Sequence, residues 1–208
     1  RDRIFIMAYR KKELDIQKFD IILKEKFERK QTSIYTWNDI KRGLKSKYFL
    51  SGLEEDIEED KKKTINMWND LYHMLKKEDR KIISPLWPHF FDDKKDLSGI
   101  PKWKINLIKR NQKFYLDNRD IYDKWYEKHK EHFDSLNLSD QKFEWNAGDS
   151  IEDIWEGIIQ FRPSGVRVKK PDFIPTLVAI NQTPIIGIEK RYLKPCEMAK
   201  LYGFKRLK

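Results

Sequence analysis

Cysteine is nearly absent from this 208-residue chain. Its one thiol, Cys196, excludes an internal disulfide and any zinc site built from several thiolates. No apolar run approaches the roughly 20 residues of a membrane-spanning helix, and no signal peptide is visible. Glycine-rich loops, Walker signatures and zinc-ligand spacings are missing as well, which removes the common routes to nucleotide or metal binding. These absences lead us to expect a chain without a membrane partner in a reducing, cytoplasmic setting. The first residue is Arg1 rather than Met, so we expect a fragment, a processed product or an incomplete reading frame.

Aromatic side chains and charge are abundant. With 7 Trp, 9 Tyr and 12 Phe the chain has the material for a real core and does not read as a disordered tail. The charged fraction of 38% and mean hydropathy of -0.83 describe a polar surface. The net charge of +10 is unevenly placed: residues 161–208 carry 11 Lys or Arg against 3 Asp or Glu. A concentrated basic segment is the usual footprint of phosphate binding, because each neutralised phosphate releases counterions; a solvated basic surface gives the same count.

Along the chain, Arg3 to Tyr9 reads as a buried strand, and a short helix is possible after Asp39. The charge block from Glu54 to Lys63 reads as a solvated helix start. Ile65, Trp68, Tyr72 and Leu75 then recur at three- and four-residue spacing and define one helical face. Ser84-Pro85-Leu86-Trp87-Pro88 ends any helix and marks the clearest boundary. A second helix is expected through Trp103, Leu107 and Ile108, and a third through Ile121, Trp125, Tyr126, His129 and Phe133. A fourth is expected with Ile151, Ile154, Trp155 and Ile158 on one face, capped by Asp149 or Ser150. From Phe161 to Gly187, β-branched residues punctuated by Pro and Gly predict strands and tight loops, and Pro195 to Gly203 predicts a short helix. His129 and His132 share a helical face without a third ligand, so no metal site is expected.

Three stretches carry chemistry. In Arg191-Tyr192-Leu193-Lys194-Pro195-Cys196-Glu197-Met198-Ala199-Lys200-Leu201-Tyr202-Gly203-Phe204, Pro195 suits the first helical position. Glu197 suits the third, where its carboxylate reaches back to the cap backbone. The segment resembles the ninth conserved motif of the DNA cytosine-5 methyltransferases, Arg-x-Leu-Thr-x-Arg-Glu-x-Ala-Arg-Leu-Gln-x-Phe-Pro, through Arg191, Leu193, Glu197, Ala199, Leu201 and Phe204. Lys194 stands where the family has its capping Thr, a loss of about 1 kcal/mol. Cys196, Tyr202 and Lys205 replace the family's Arg, Gln and Pro. That register makes Cys196 an incidental thiol and not the family's Pro-Cys nucleophile.

The N-terminal Arg1-Asp2-Arg3-Ile4-Phe5-Ile6-Met7 resembles the family's eighth motif, Gln-x-Arg-x-Arg followed by a strand. The resemblance implies that Arg3, with Arg1, helps hold an extruded cytosine, whose lost pairing a bidentate cation offsets. Between the two ends, Gln160 to Ala179 resembles the close of the target-recognition domain, with Thr176 and Leu177 matching a Thr-Leu pair. Gly165 permits close backbone approach, Arg162, Arg167, Lys169 and Lys170 suit phosphates or guanine edges, and Ser164 and Thr176 donate hydrogen bonds. Asn181, Gln182 and Thr183 fit an adenine edge or a turn.

The resemblance implies an α+β fragment: a terminal strand of a Rossmann-like methyltransferase sheet, a mostly helical segment, and a small irregular β target-recognition domain ending in a short helix. Its parts would be 1–12, the end of the catalytic domain; 13–88, a variable linker or helical insert; 89–187, the target-recognition domain; and 188–208, the ninth-motif helix. The implied function is recognition of duplex DNA by part of a restriction-modification or orphan methyltransferase. The cofactor would be S-adenosyl-L-methionine, and the partner the N-terminal catalytic half, in the same chain or a separate subunit. Because the cofactor, nucleophile, Glu-Asn-Val and tenth motifs are absent, the chain alone is expected to be inactive, and because the Arg3–Tyr9 strand would lack its sheet neighbours, poorly soluble. A non-catalytic basic DNA- or RNA-binding module and a decayed pseudogene product are the alternatives.

Overall fold

A computed structural model describes residues 56–92, 97–171, 175, 182–195 and 197–198. All of them belong to the larger of two compact units, residues 32–208. Among the described residues three helices, α1 (Glu59–Lys77), α2 (Lys102–Asp117) and α3 (Arg119–Ser135), precede five short strands. These are β1 (Phe143–Asn146), β2 (Ile158–Arg162), β3 (Gly165–Lys169), β4 (Ile185–Ile186) and β5 (Arg191–Tyr192). The sheet order is β1-β3-β2-β4-β5, with β1 parallel to β3 and the other pairs antiparallel. The α+β class read from the sequence is the class observed.

α1 forms where the three- and four-residue spacing placed it, and Ile65, Trp68, Tyr72 and Leu75 are buried on its inner face. Glu59 and Asp60 in its first turn and Lys76 and Lys77 in its last complement the helix dipole. α3 buries Ile121, Tyr122, Trp125 and Phe133. Trp68 is the centre of the core: its ring stacks on Trp125 at 5.2 Å and on Phe143 at 5.0 Å, and meets Phe133 edge-on at 6.1 Å. Buried indoles need a partner for their N–H. Trp68 Nε1 donates to the Asp140 carbonyl at 3.1 Å and Trp125 Nε1 to the Met67 carbonyl at 2.7 Å.

Alternation along the strands gives the sheet two unlike faces. Phe143, Trp145, Val166, Val168, Ile159 and Ile185 join the helical core. Glu144, Gln160, Arg162 and Arg167 occupy alternate positions and point the other way. The Ser84–Pro88 stretch lies between α1 and α2 and is itself part of the packing. Leu86 is fully buried and exchanges backbone hydrogen bonds of 2.8 Å in both directions with Phe143.

Two expectations are corrected. The fourth helix does not form: Ile154–Glu156 is a single 3-10 turn, and Ile158 begins β2. Its cap is neither Asp149 nor Ser150 but Asp153, whose side chain accepts from the Trp155 N–H at 2.8 Å. The cause lies at Gly157, where a Cβ would stand 2.8 Å from Val168 Cγ1 and 2.9 Å from the Lys169 carbonyl, so β3 packs directly on this backbone. The second helix forms through Trp103, Leu107 and Ile108 as expected, with Ile108, Asn111 and Phe114 as its buried face and Trp103 69% exposed. Strand β1, unanticipated, pairs along one edge of the sheet. The expected strand Arg3–Tyr9 and the helix after Asp39 lie outside the described residues.

Candidate nucleic-acid interface

The β2–β3 hairpin is closed by Pro163 and Ser164, with Arg162 opposite Gly165. Gly165 has φ +134°, and a Cβ there would meet the Lys142 carbonyl at 2.9 Å. Glycine is therefore required both by the turn and by the close approach of Lys142, whose carbonyl accepts from the Val166 N–H at 2.8 Å. This contact presses the hairpin end against the start of β1. The glycine proposed for close approach to a ligand makes its close approach to the chain itself.

On the outward sheet face two of the predicted arginines converge on one carboxylate. Arg167 donates to Glu144 Oε2 from Nε at 3.0 Å and stands 2.9 Å away through Nη2. Arg162 Nη1 reaches the same oxygen at 3.3 Å, and Lys142 Nζ lies 3.7 Å from Oε1. Glu144 is buried, with its side chain 12% exposed, whereas Arg162 and Arg167 keep 21% and 32% of theirs. The result is a group of three cations around one anion, net positive, with the Arg167 guanidinium oriented by two contacts to the carboxylate and Arg162 held by one. Burial, with the charge of Arg167 beside it, draws the Arg162 guanidinium below its ordinary value against the pull of Glu144. Lys142 also lies 5.4 Å over the Trp87 ring. Two polar atoms close to this end, Trp87 Nε1 and Ser164 Oγ, are buried without a hydrogen-bond partner.

Lys169 ends β3 opposite Asn146 and Ile158, and Lys170 follows it on the exposed surface. The structure thus brings Arg162, Ser164, Gly165, Arg167 and Lys169 together on one hairpin. Arg1, Arg3, Thr176, Leu177 and Cys196 lie outside the described residues. Glu144, Lys142 and Trp87 were missed in the sequence reading. The alternating Phe143-Glu144-Trp145 was the available signal for β1, but nothing local ties Glu144 to arginines 18 and 23 positions away.

The ninth-motif segment folds as its sequence implied, as far as it is described. Pro195, Glu197 and Met198 are helical, and Glu197 Oε2 accepts from the Lys194 backbone N–H at 2.8 Å. The same carboxylate takes Arg191 in two parallel bonds, Nη1 to Oε2 and Nη2 to Oε1, both 2.9 Å. Burial is the largest single effect and opposes the charge on Arg191, but the bonds and charges of Glu197 and Glu189 together outweigh it and raise the guanidinium above its ordinary value. Glu189 adds a second ion pair at 2.5 Å. Leu193 is buried, and its N–H bonds the Pro184 carbonyl at 2.8 Å. The Arg-x-Leu-x-x-x-Glu spacing is a folding unit here, closing the chain back onto β4.

His129 Nε2 lies 2.8 Å from Asp70 Oδ2 and His132 Nε2 3.0 Å from Thr64 Oγ1, so each histidine ties α3 to α1. Among the described residues no group of three or more metal-ligating side chains occurs. A cleft of about 530 Å³ is lined by residues that include Tyr72, Lys76, Asp79, Arg80, Lys81, Trp145, Asp149 and Glu152. Most of its charge is paired, Lys76 with Glu152, Lys81 with Asp149 and Arg80 with Asp120. No described helix is long and apolar enough to cross a membrane.

Fold and site together define an α+β module with a basic hairpin ordered by a buried carboxylate. In sequence the chain is similar to the Type II methyltransferase M.AluI of Cellulosimicrobium cellulans, with 38% identity over 104 residues. The resemblance to DNA cytosine-5 methyltransferases drawn from the motifs is supported by this similarity. The match takes in 50% of this chain and 20% of that relative, so the chain corresponds to a small part of its length. No family model and no solved structure matches the chain.

Proposed function

We propose that this chain is the target-recognition part of a DNA cytosine-5 methyltransferase, acting within a restriction-modification system or as an orphan enzyme. The observation that carries the reading is the similarity to a Type II methyltransferase over half of the chain. The ordered hairpin supplies the physical means. Arg162 and Arg167, held by Glu144, present donors to phosphates or to a guanine edge, and Lys169 and Lys170 add charge beside them. Thr176 and Leu177 would continue this surface, and Arg1 and Arg3 would stand at the extruded cytosine.

The methyl donor would be S-adenosyl-L-methionine, which supplies the methyl group carried to C5 of the cytosine. This chain's residues do not fit that cofactor. Its eight glycines are never closer than eight positions apart, as at Gly157 and Gly165, so no Gly-x-Gly turn exists to admit it. The described glycines lie in turns and against the sheet. Cofactor and nucleophile belong to a catalytic half, in the same chain or as a partner subunit, and the role of this chain is to bind and orient duplex DNA.

The test combines the full chain with the catalytic segment encoded upstream or in a neighbouring gene, and follows radiolabelled methyl transfer to duplex DNA. Methylation only when both are present is the expected result. Absence of any motif-bearing segment in the surrounding coding DNA, or preference for single-stranded RNA over duplex DNA in gel shifts, overturns the reading.

A further inference from the structure

The three helices differ in how their charge is arranged. In α1 and α3 acids and bases alternate and pair: Lys62 with Glu59, Lys128 with Asp70, Arg119 with Asp123. α2 carries Lys102, Lys104, Lys109, Arg110 and Lys113 and has no acidic residue before Asp117, its last. At 100° per residue, Lys102, Asn106, Lys109 and Lys113 fall on one line along the helix, and all four are exposed. That line is opposite the buried Ile108, Asn111 and Phe114. Among the described residues Lys102 and Lys109 have no acidic partner, Lys113 reaches only Asp117 at 2.9 Å, and Arg110 bonds the Ser84 carbonyl at 3.1 Å. Trp103, 69% exposed, flanks the line at its N-terminal end.

This helix is fixed to the hairpin end of the module. Asn111, fully buried, accepts from the Trp87 N–H at 2.7 Å and donates to the Pro85 carbonyl at 3.2 Å. Trp87 in turn carries Lys142 over its ring, and Lys142 belongs to the Glu144 group. The chain of contacts from α2 to Arg162 and Arg167 is continuous and runs through buried and half-buried groups.

We propose that the Lys102–Lys109–Lys113 face of α2 is a second DNA-contacting surface, one that follows the phosphate backbone and reads no bases. The inference rests on the DNA-recognition reading above and extends it to a face that the motif resemblance does not single out. At 1.5 Å per residue the line is about 16 Å long. Phosphates on one strand succeed one another every 3.4 Å or so along the axis, so three lysines on this line meet about three phosphates. The partner is duplex DNA on grounds of charge: the face carries three lysines against one carboxylate, Asp117 at its C-terminal end, and has exposed aromatic surface at the other end.

The experiment measures binding of the full chain to a short random-sequence DNA duplex by fluorescence anisotropy, from about 50 to about 300 mM salt. Two triple variants are compared with the parent: K102Q/K109Q/K113Q on α2, and K77Q/K124Q/K130Q on α1 and α3, which removes the same charge elsewhere. The α2 variant is expected to reduce the magnitude of the log K against log salt slope by about 2 to 3, at about 0.9 per lost phosphate contact, with its melting temperature unchanged. The control is expected to leave the slope as it is. Equal loss in both variants, or no loss in the α2 variant, overturns the α2 surface while leaving the hairpin reading intact. Failure of the parent chain to bind the duplex at the lowest salt overturns the DNA-recognition reading itself.

Discussion

Replacing Glu144 tests whether the outward sheet face is organised by its carboxylate. In Glu144→Ala, Arg167 loses its two short bonds, at 3.0 and 2.9 Å, and Arg162 its longer one at 3.3 Å. Hydrogen bonds to charged groups contribute about 1.5–3 kcal/mol each when buried. Arg167 is 32% exposed and regains hydration, which sets its loss toward the low end. Arg162, 21% exposed, is left facing a like charge with no anion between them. A total of about 2–3 kcal/mol follows, which in a chain of this size lowers the melting temperature by roughly 5–10 °C. Glu144→Gln keeps the shape and one acceptor and should lose about half as much. Because part of the penalty is repulsion between the freed cations, it should shrink as salt is added. The assay is thermal unfolding by circular dichroism at low and high salt, with Arg167→Gln and the double variant completing a cycle. A Glu144→Ala melting temperature within about 1 °C of the parent, or no coupling between Glu144 and Arg167, would refute the reasoning.

Asn111→Ala removes the partners of the Trp87 N–H and the Pro85 carbonyl in a fully buried setting, and should cost about 2–3 kcal/mol in urea unfolding. Arg191→Lys keeps the charge but cannot form the two parallel bonds to Glu197, so a loss of about 1–2 kcal/mol is expected despite the conservative change. Asp70 and Asp153 contribute to the acid limit of stability. Burial raises both, but is outweighed by Lys128 and His129 at Asp70 and by Asn69 and His73 at Asp153, which hold them below the ordinary 3.8. Folded values below unfolded ones mean that this stabilisation is present above about 3.8 and is lost as the pH falls through the lower folded values. Unfolding followed against pH should show Asp70→Asn and Asp153→Asn flattening that acid limb, and an unchanged limb in both would contradict the assignment.

What could be read in the sequence was local. The spacing of Ile65, Trp68, Tyr72 and Leu75 suffices for α1, and Pro195 with Glu197 suffices for the start of the last helix because cap and carboxylate are three residues apart. Ile151, Ile154, Trp155 and Ile158 satisfy the same helical spacing, yet the chain turns into a strand there. The deciding contact, β3 against Gly157, is eleven residues away, and no window of periodicity contains it. Glu144 is the same case in electrostatic form, since its partners come from two other strands.

Charge counted along the chain misplaces charge counted on the surface. The last quarter has the surplus, but Arg162 and Arg167 there are partly neutralised by Glu144, and Arg191 by Glu197 and Glu189. Those arginines gain orientation and lose free charge, which suits them to directional recognition more than to attracting a polyanion from a distance. α2 lies outside that quarter and was unremarkable in the linear count, yet it presents its lysines in the open with a single acid at its end. Orientation and attraction are thus assigned to different elements, and only the fold, by pinning α2 to Trp87 through Asn111, joins them into one module. If that division is right, loss of the α2 lysines weakens binding alike on every DNA sequence. Loss of Arg167 alters which sequence is bound.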